Sequence, residues 1–313
     1  QLIKGKRKKI ECKYVIKRGV ISFKLGEYNK DIPLIIDPKL IFSTSAGSRA
    51  DYWGNTACND DDGNLYTGGT IFSHNGAGFP TPSGFPSTNG AFETTFQGGF
   101  TDIGIMKFDS SGTSLIYSTY LGGNDSEIPT SLVVDESSQE LLILGTTGSS
   151  NFPIPNPANS FDPNFSGSLP VLQNDLVGGY EFTSGTDLIV IRLSNDGTSI
   201  INSTYLGGTG TDGINRKSGN LVFNYGDQLR GDIFLDGKGA VYIASVTSLP
   251  TNPLDTFPSI GGFSPTYLGG SSDGVLVKMQ GDLSNMIWSN HIGSDSTDAC
   301  FSVKVDSSFN VIV

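Results

Sequence analysis

Two histidines, three cysteines and several acidic turns are the side chains with most chemistry to offer in this 313-residue chain. His74 falls in a long loop and His291 in a strand. With Cys58 or Cys300 either would supply zinc ligands, but no C-x-x-C or H-x-x-x-H spacing accompanies them. Cys12, Cys58 and Cys300 are too far apart and too few for a disulfide framework. The chain also has no Gly-x-Ser-x-Gly elbow for a Ser-His-Asp site. With 31 acids, some carboxylate pair always resembles a glycosidase site, so that signal is nearly empty. Asp60, Asp61, Asp62 and Asn64 crowd hard oxygens onto one turn, and Asn124–Glu127 follows a Gly-Gly pair. Calcium suits such oxygens, although neither segment has EF-hand spacing. The competing reading is that Asp and Asn close their own turns through side-chain hydrogen bonds. Calcium at Asp60–Asn64 is the one cofactor the pattern admits.

Phe79, Phe85, Phe92, Phe96, Phe152, Phe161, Phe165, Tyr180, Phe257, Phe263 and Tyr267 sit in long insertions among Gly and Pro. One role for such rings is to anchor each loop to its scaffold. The sharper role is an aromatic patch for a protein or glycan, for which Phe79, Phe85, Phe96, Phe152, Phe161, Phe165, Tyr180 and Phe263 are the candidates.

The elements that position these groups follow from composition and repetition. With 41 Gly and 15 Pro against 16% charged residues, and no sustained helical periodicity, the chain reads as many short strands joined by turns. Residues 1–18 hold eight of the 20 bases and one acid, leaving 12 bases and 30 acids, a charge near −18, to the rest. An acidic body repels phosphate, and the basic head reads as a solvated charge run, so neither nucleic acid nor membrane insertion is expected. No apolar run reaches about 18 residues, and Gln1 opens on polar sequence without a signal-peptide core.

A motif returns at Leu40–Gly47, Leu115–Gly122, Ile200–Gly207 and Met286–Gly293, its glycines 75, 85 and 86 residues apart. Asp102–Phe108, Asp187–Leu193 and Asp273–Met279 recur in register, with Lys107, Arg192 and Lys278 at one internal position. Each unit reads as four strands joined by Asp, Asn and Gly turns such as Asp60–Asn64 and Asp236–Gly239. Four antiparallel strands per repeat form the blade of an all-β propeller; a β-solenoid is the competing repeat architecture. The expected organisation is a β-rich tail at 1–38, then blades at about 39–112, 113–197, 198–283 and 284–313, the last partial. That makes about three and a half blades of a longer chain. Long insertions at Ser73–Thr101, Gly148–Thr186, Thr209–Asp232 and Ser248–Ser272 gather on one end, the expected recognition face.

Tyr117-Ser-Thr-Tyr-Leu-Gly-Gly123, Asp187-Leu-Ile-Val-Ile-Arg-Leu193 and Gly239-Ala-Val-Tyr-Ile-Ala-Ser245 resemble the SBBP repeat, named for a seven-bladed β-propeller, over roughly Leu40 to Val313. Val20–Pro38 looks like the end of a domain that precedes these repeats in large surface proteins of Bacteroidota. The units here are longer than the family's usual repeat. The resemblance implies a non-catalytic binding or scaffolding propeller on the outer surface of, or secreted by, a Gram-negative bacterium. Type 9 secretion, gliding motility and adhesion are the implied settings, with a protein or polysaccharide partner at the long-loop face. Two other expectations stand beside it: a polysaccharide lyase or glycosidase, and a cargo or partner captured with the export machinery.

Overall fold

The structure is a computed structural model that describes residues 1–17, 20–34, 42–45, 51–73, 84–168, 181–215, 221–222, 227–250 and 256–313. His74, Phe79 and Tyr180 lie outside the described residues. Two compact units are present, Gln1–Ser43 and Thr44–Val313. The first contains two antiparallel hairpins, β1 (Leu2–Ile3) with β2 (Lys6–Arg7) and β3 (Cys12–Lys17) with β4 (Val20–Leu25). Its Gln1 side chain donates to the carbonyls of Asn29 and Ile32 at 2.6 and 2.9 Å, tying the segment after β4 back to the first residue.

The second unit is built from four-stranded antiparallel meanders. Sheet one is β5 (Tyr52–Asn59), β6 (Leu65–Phe72), β7 (Thr101–Phe108) and β8 (Leu115–Leu121). Sheet two is β9 (Glu127–Asp135), β10 (Glu140–Thr147), β11 (Asp187–Leu193) and β12 (Ile200–Leu206). Sheet three is β13 (Asp232–Leu235), β14 (Ala240–Ser248), β15 (Ser272–Gln280) and β16 (Met286–Ile292). A two-stranded hairpin follows, β17 (Lys304–Val305) with β18 (Val311–Ile312).

The repeat frame expected from sequence is offset by one strand. The motif strand does not open a unit; it closes the preceding sheet, because Ile103–Phe108 pairs with Leu115–Leu121, and Leu188–Leu193 with Ile200–Leu206. The turns after Phe108 and Leu193 are therefore hairpins within a sheet, and the Gly-Gly loops carry the chain to the next sheet. Short hairpins, closed here by Asp109 N–H to Ser114 O and Ser194 N–H to Ser199 O, pair neighbours at once, which decides where a meander closes.

The period-2 alternation of side chains buries sheet two on both faces. Leu141, Ile143, Ile189 and Ile191 pack with Tyr66, Ile103 and Ile105 of sheet one, while Leu142, Leu144, Leu188 and Val190 pack with Val241, Ile243, Val275 and Val277 of sheet three. Sheet three packs its other face, including Tyr242 and Leu276, on Cys300, Val303, Val305 and Val311. At the first strands, Asp232 accepts from Ser131 Oγ at 3.0 Å on one side, and from Ser302 Oγ at 2.8 Å and Lys304 Nζ at 2.6 Å on the other.

Outer strands are sealed rather than left raw. The insertion after each second strand folds back along the fourth strand of its own sheet: Thr88 N–H donates to Ser118 O and Tyr120 N–H to Glu93 O. Tyr205 N–H likewise donates to Asp162 O, and His291 N–H to Ser264 O. Each outer strand carries a β-bulge at the same place, opposite Lys107, Arg192 or Lys278. The extra residues are Ile116, Ile201 and Ile287, which accounts for their exposure on an otherwise buried strand.

Candidate functional site

The long-loop end of the sheets carries a repeated pair of acids, all buried except the half-buried Asp298. At the start of the third strands, loop N–H groups hold one oxygen of each aspartate. Gln97 donates to Asp102 Oδ2 at 2.6 Å, Ser166 to Asp187 Oδ2 at 2.7 Å and Leu268 to Asp273 Oδ2 at 2.6 Å. The other oxygen, Oδ1, is buried without a hydrogen-bond partner in all three. It faces the first glycine after the motif strand. A Cβ on Gly122, Gly207 or Gly293 would lie 2.4, 2.3 or 3.1 Å from that Oδ1, so a side chain there meets the carboxylate.

Five residues after each glycine stands a second acid. Gly123 N–H donates to Glu127 Oε2 at 2.9 Å, Gly208 N–H to Asp212 Oδ2 at 3.0 Å and Ser294 N–H to Asp298 Oδ2 at 2.7 Å. Among the described residues no Lys or Arg pairs with Asp102, Glu127, Asp187, Asp273 or Asp298. Burial pushes Asp102 up to about 9, with Glu127 adding to the rise, and pushes Glu127 up to about 8. Asp187 and Asp273 are raised for the same reason.

At the opposite end, where the tight turns lie, a polar cleft of about 640 Å³ opens between sheets two and three. Its walls include Asp135, Asn156, Asn159, Arg192, Ile201, Asn202, Gln280, Asp282 and Ser284. The repeat explains its position. At the junction of sheets one and two the corresponding outer-strand residue is Tyr117, whose ring is buried over Gly197; a Cβ there would meet it at 2.4 Å. Asn202 replaces that ring and donates through Nδ2 to Asn159 O at 2.9 Å and Asp282 O at 2.7 Å. Arg192 bridges the floor, bonding Asp135, Glu140 and Gly281 O, the last at 2.7 Å. The matching Lys107 donates to Asn195 Oδ1 at 2.7 Å.

The expected calcium turn is closed by its own side chains. Asp60 is buried; its carboxylate accepts from Asn64 N–H at 2.8 Å, Asn64 Nδ2 at 2.8 Å and Tyr66 Oη at 3.3 Å. Asp61 and Asp62 are exposed on the turn and do not converge with it; among the described residues no three His, Cys, Asp or Glu side chains form a metal-binding group. Asp236 closes the equivalent turn of sheet three in the same manner, accepting from Lys238 and Ala240 N–H.

The described rings of the expected aromatic patch lie mostly against their own scaffold. Phe85 and Phe152 are buried. Phe85 stacks edge-on to Tyr120 at 5.0 Å, and Phe152 N–H donates to Tyr205 Oη at 3.0 Å. Phe96 and Phe165 complete the clasp from the other side of each tyrosine at 6.5 and 5.8 Å, and Phe161 packs on the core between sheets two and three. Burial removes Phe85 and Phe152 from a partner's reach, while Phe96, Phe161 and Phe165 are half-buried. Phe263, 82% exposed, is the one described candidate that still offers its face. His291 takes the tyrosine's place in sheet three, between Phe257 and Tyr267, with its Nδ1 3.5 Å from Asp273 and its charged form disfavoured by burial. Cys58 and Cys300 thiols are pushed up to about 12 by burial, which keeps them protonated and unreactive.

The Asn202 cleft was not singled out from sequence, and of the acid pairs only Glu127 was, within Asn124–Glu127 and without its partner Asp102. The signal for the pairs is an aspartate twenty residues before, and an acid five residues after, each of Gly122, Gly207 and Gly293. A domain of unknown function, DUF7948, matches residues 1–39. No curated protein matches the chain.

Proposed function

We propose that residues 44–313 are part of a β-propeller that works as a non-catalytic binding module of a secreted or cell-surface protein, and that its ligand is a neutral polysaccharide chain held in the Asn202 cleft. The observation that carries this reading is that one junction between sheets is open where its counterpart is filled by Tyr117. A cleft walled by amides, a hydroxyl and a carboxylate matches the hydroxyls of a sugar, and the exposed Ile201 offers an apolar surface to its ring face. Asp282 faces this space while the Arg192 charge is already spent on Asp135 and Glu140, which disfavours an anionic glycan. Repetition of sheets through shared junctions supports the propeller reading, as does the resemblance of the motif to the SBBP repeat. That resemblance also supports placing the protein among type 9 secreted, gliding or adhesion proteins of Bacteroidota.

A glycan array read for binding and turnover tests the proposal. Binding of a neutral glycan by the chain and its loss in a folded Asn202→Tyr variant are expected. Undiminished binding by that variant overturns the cleft assignment, and turnover abolished by Asp282→Asn overturns the non-catalytic reading.

A further inference from the structure

We propose that each Gly-Gly or Gly-Ser junction binds one calcium ion, between the buried aspartate twenty residues before the glycine and the acid five residues after it. The sites are Asp102 with Glu127, Asp187 with Asp212 and Asp273 with Asp298. This moves the cation away from the Asp60 turn, whose carboxylate is occupied by its own N–H donors.

Three observations converge on the assignment. First, Oδ1 of Asp102, Asp187 and Asp273 is fully buried with no hydrogen-bond partner, and an unpartnered buried carboxylate oxygen is costly enough to need a counter-charge. Second, at two of the three sites the acids approach one point: a Cβ on Gly207 would be 2.3 Å from Asp187 Oδ1 and 2.8 Å from Asp212 Oδ2, and one on Gly293 2.8 Å from Asp298 Oδ2 and 3.1 Å from Asp273 Oδ1. Carboxylates that close, with the first of each pair fully buried, repel one another strongly when both are ionised. Third, the arrangement occurs three times at identical spacing, although the intervening loops differ in sequence.

The donors are oxygens, which selects a hard cation, and calcium tolerates the irregular mixture of carboxylate, carbonyl and hydroxyl ligands that a loop provides. Among the described residues, Glu93 and Asp125 face the first site, Asp162 the second, and His291 and Tyr267 the third. With only two carboxylates per site, dissociation constants should be on the order of 10⁻⁴–10⁻³ M, the range of extracellular calcium modules.

Equilibrium dialysis of the full 313-residue chain against radioactive calcium, followed by thermal unfolding with calcium or with chelator, tests this. The expected result is one ion per junction and an unfolding midpoint several degrees higher in about 5 mM calcium. Asp102→Asn and Asp187→Asn should each remove one ion from the count, and Asp60→Asn none. If either variant fails to fold, Glu127→Gln and Asp298→Asn probe the opposite side of two of the sites with the same expectation. A folded chain that binds no calcium at about 5 mM overturns the proposal, because the pairs are then neutralised by protons. A count lowered by Asp60→Asn but not by the junction variants overturns it equally.

Discussion

The junction of sheets one and two and that of sheets two and three use the same frame with different contents. In the first, Tyr117 fills the space over Gly197 and Lys107 reaches one acceptor, Asn195, in the neighbouring turn. In the second, Asn202 leaves a cleft, Leu283 stands where Gly197 stood, and Arg192 gathers Asp135, Glu140 and Gly281. The open junction is thus bordered by an ion cluster within sheet two, from which Arg192 reaches across to Gly281 O of sheet three. Removing an aromatic ring sacrifices buried area, and a planar guanidinium with several acceptors offsets part of that loss while leaving the space free. Specialisation here took three positions of the frame and left the acid pairs alone.

The acid pairs are shared by both junctions, so their titration should act on the whole stack and give the largest effect. Asp102 and Glu127 have folded pKa values near 9 and 8, above their unfolded values. Their protonated forms are favoured by folding, so that contribution is intact below about pH 4 and is lost as pH rises through 8 to 9. In chelator, stability should fall by about 1 kcal/mol per pH unit per group between about pH 5 and pH 8, read as a falling unfolding midpoint. A midpoint that rises over that interval would refute the assignment.

Removing the cation from the open junction should come next. Arg192→Ala strands two partly buried carboxylates and should cost about 3–5 kcal/mol in urea unfolding, whereas Lys107→Ala, with one neutral acceptor, should cost about 1 kcal/mol. Equal losses would show the two staples to be interchangeable. Tyr117→Asn, which imposes the open content on the filled junction, should cost roughly 3 kcal/mol for lost ring burial. The smallest effect belongs to sheet three. His291 has neither ring nitrogen hydrogen-bonded, and His291→Tyr should add about 1 kcal/mol by restoring a hydroxyl for the Phe257 loop, in the way Tyr205 serves Phe152.

Much of the fold was legible. Asp102, Asp187 and Asp273 lead the third strands as their shared register implied, and the turns at Asp60 and Asp236 close as Asp-Gly chemistry predicts. The frame was misread because a motif marks a strand without naming its partner; hydrogen-bond pairing, not similarity, decides that Leu115–Leu121 belongs with Ile103–Phe108. The aromatic rings misled for a related reason. A Phe among Gly and Pro looks the same in sequence whether it faces solvent or its own strand, and Phe85 and Phe263 differ only in what lies beneath them. The cleft was hidden because it is made by a missing ring, at Asn202, which only comparison with Tyr117 reveals.

The first two insertions bond their own outer strand and then the turn of the following sheet, Phe92 N–H to Gly197 O and Phe161 N–H to Leu283 O. The dependence runs in one direction along the chain. A polypeptide emerging from the ribosome therefore finishes a sheet together with the ledge on which the next one lands, so assembly proceeds as courses of brick, each laid on a set course below. A lesion in an early insertion should disturb everything laid after it, while the same lesion in a late one leaves the earlier courses standing.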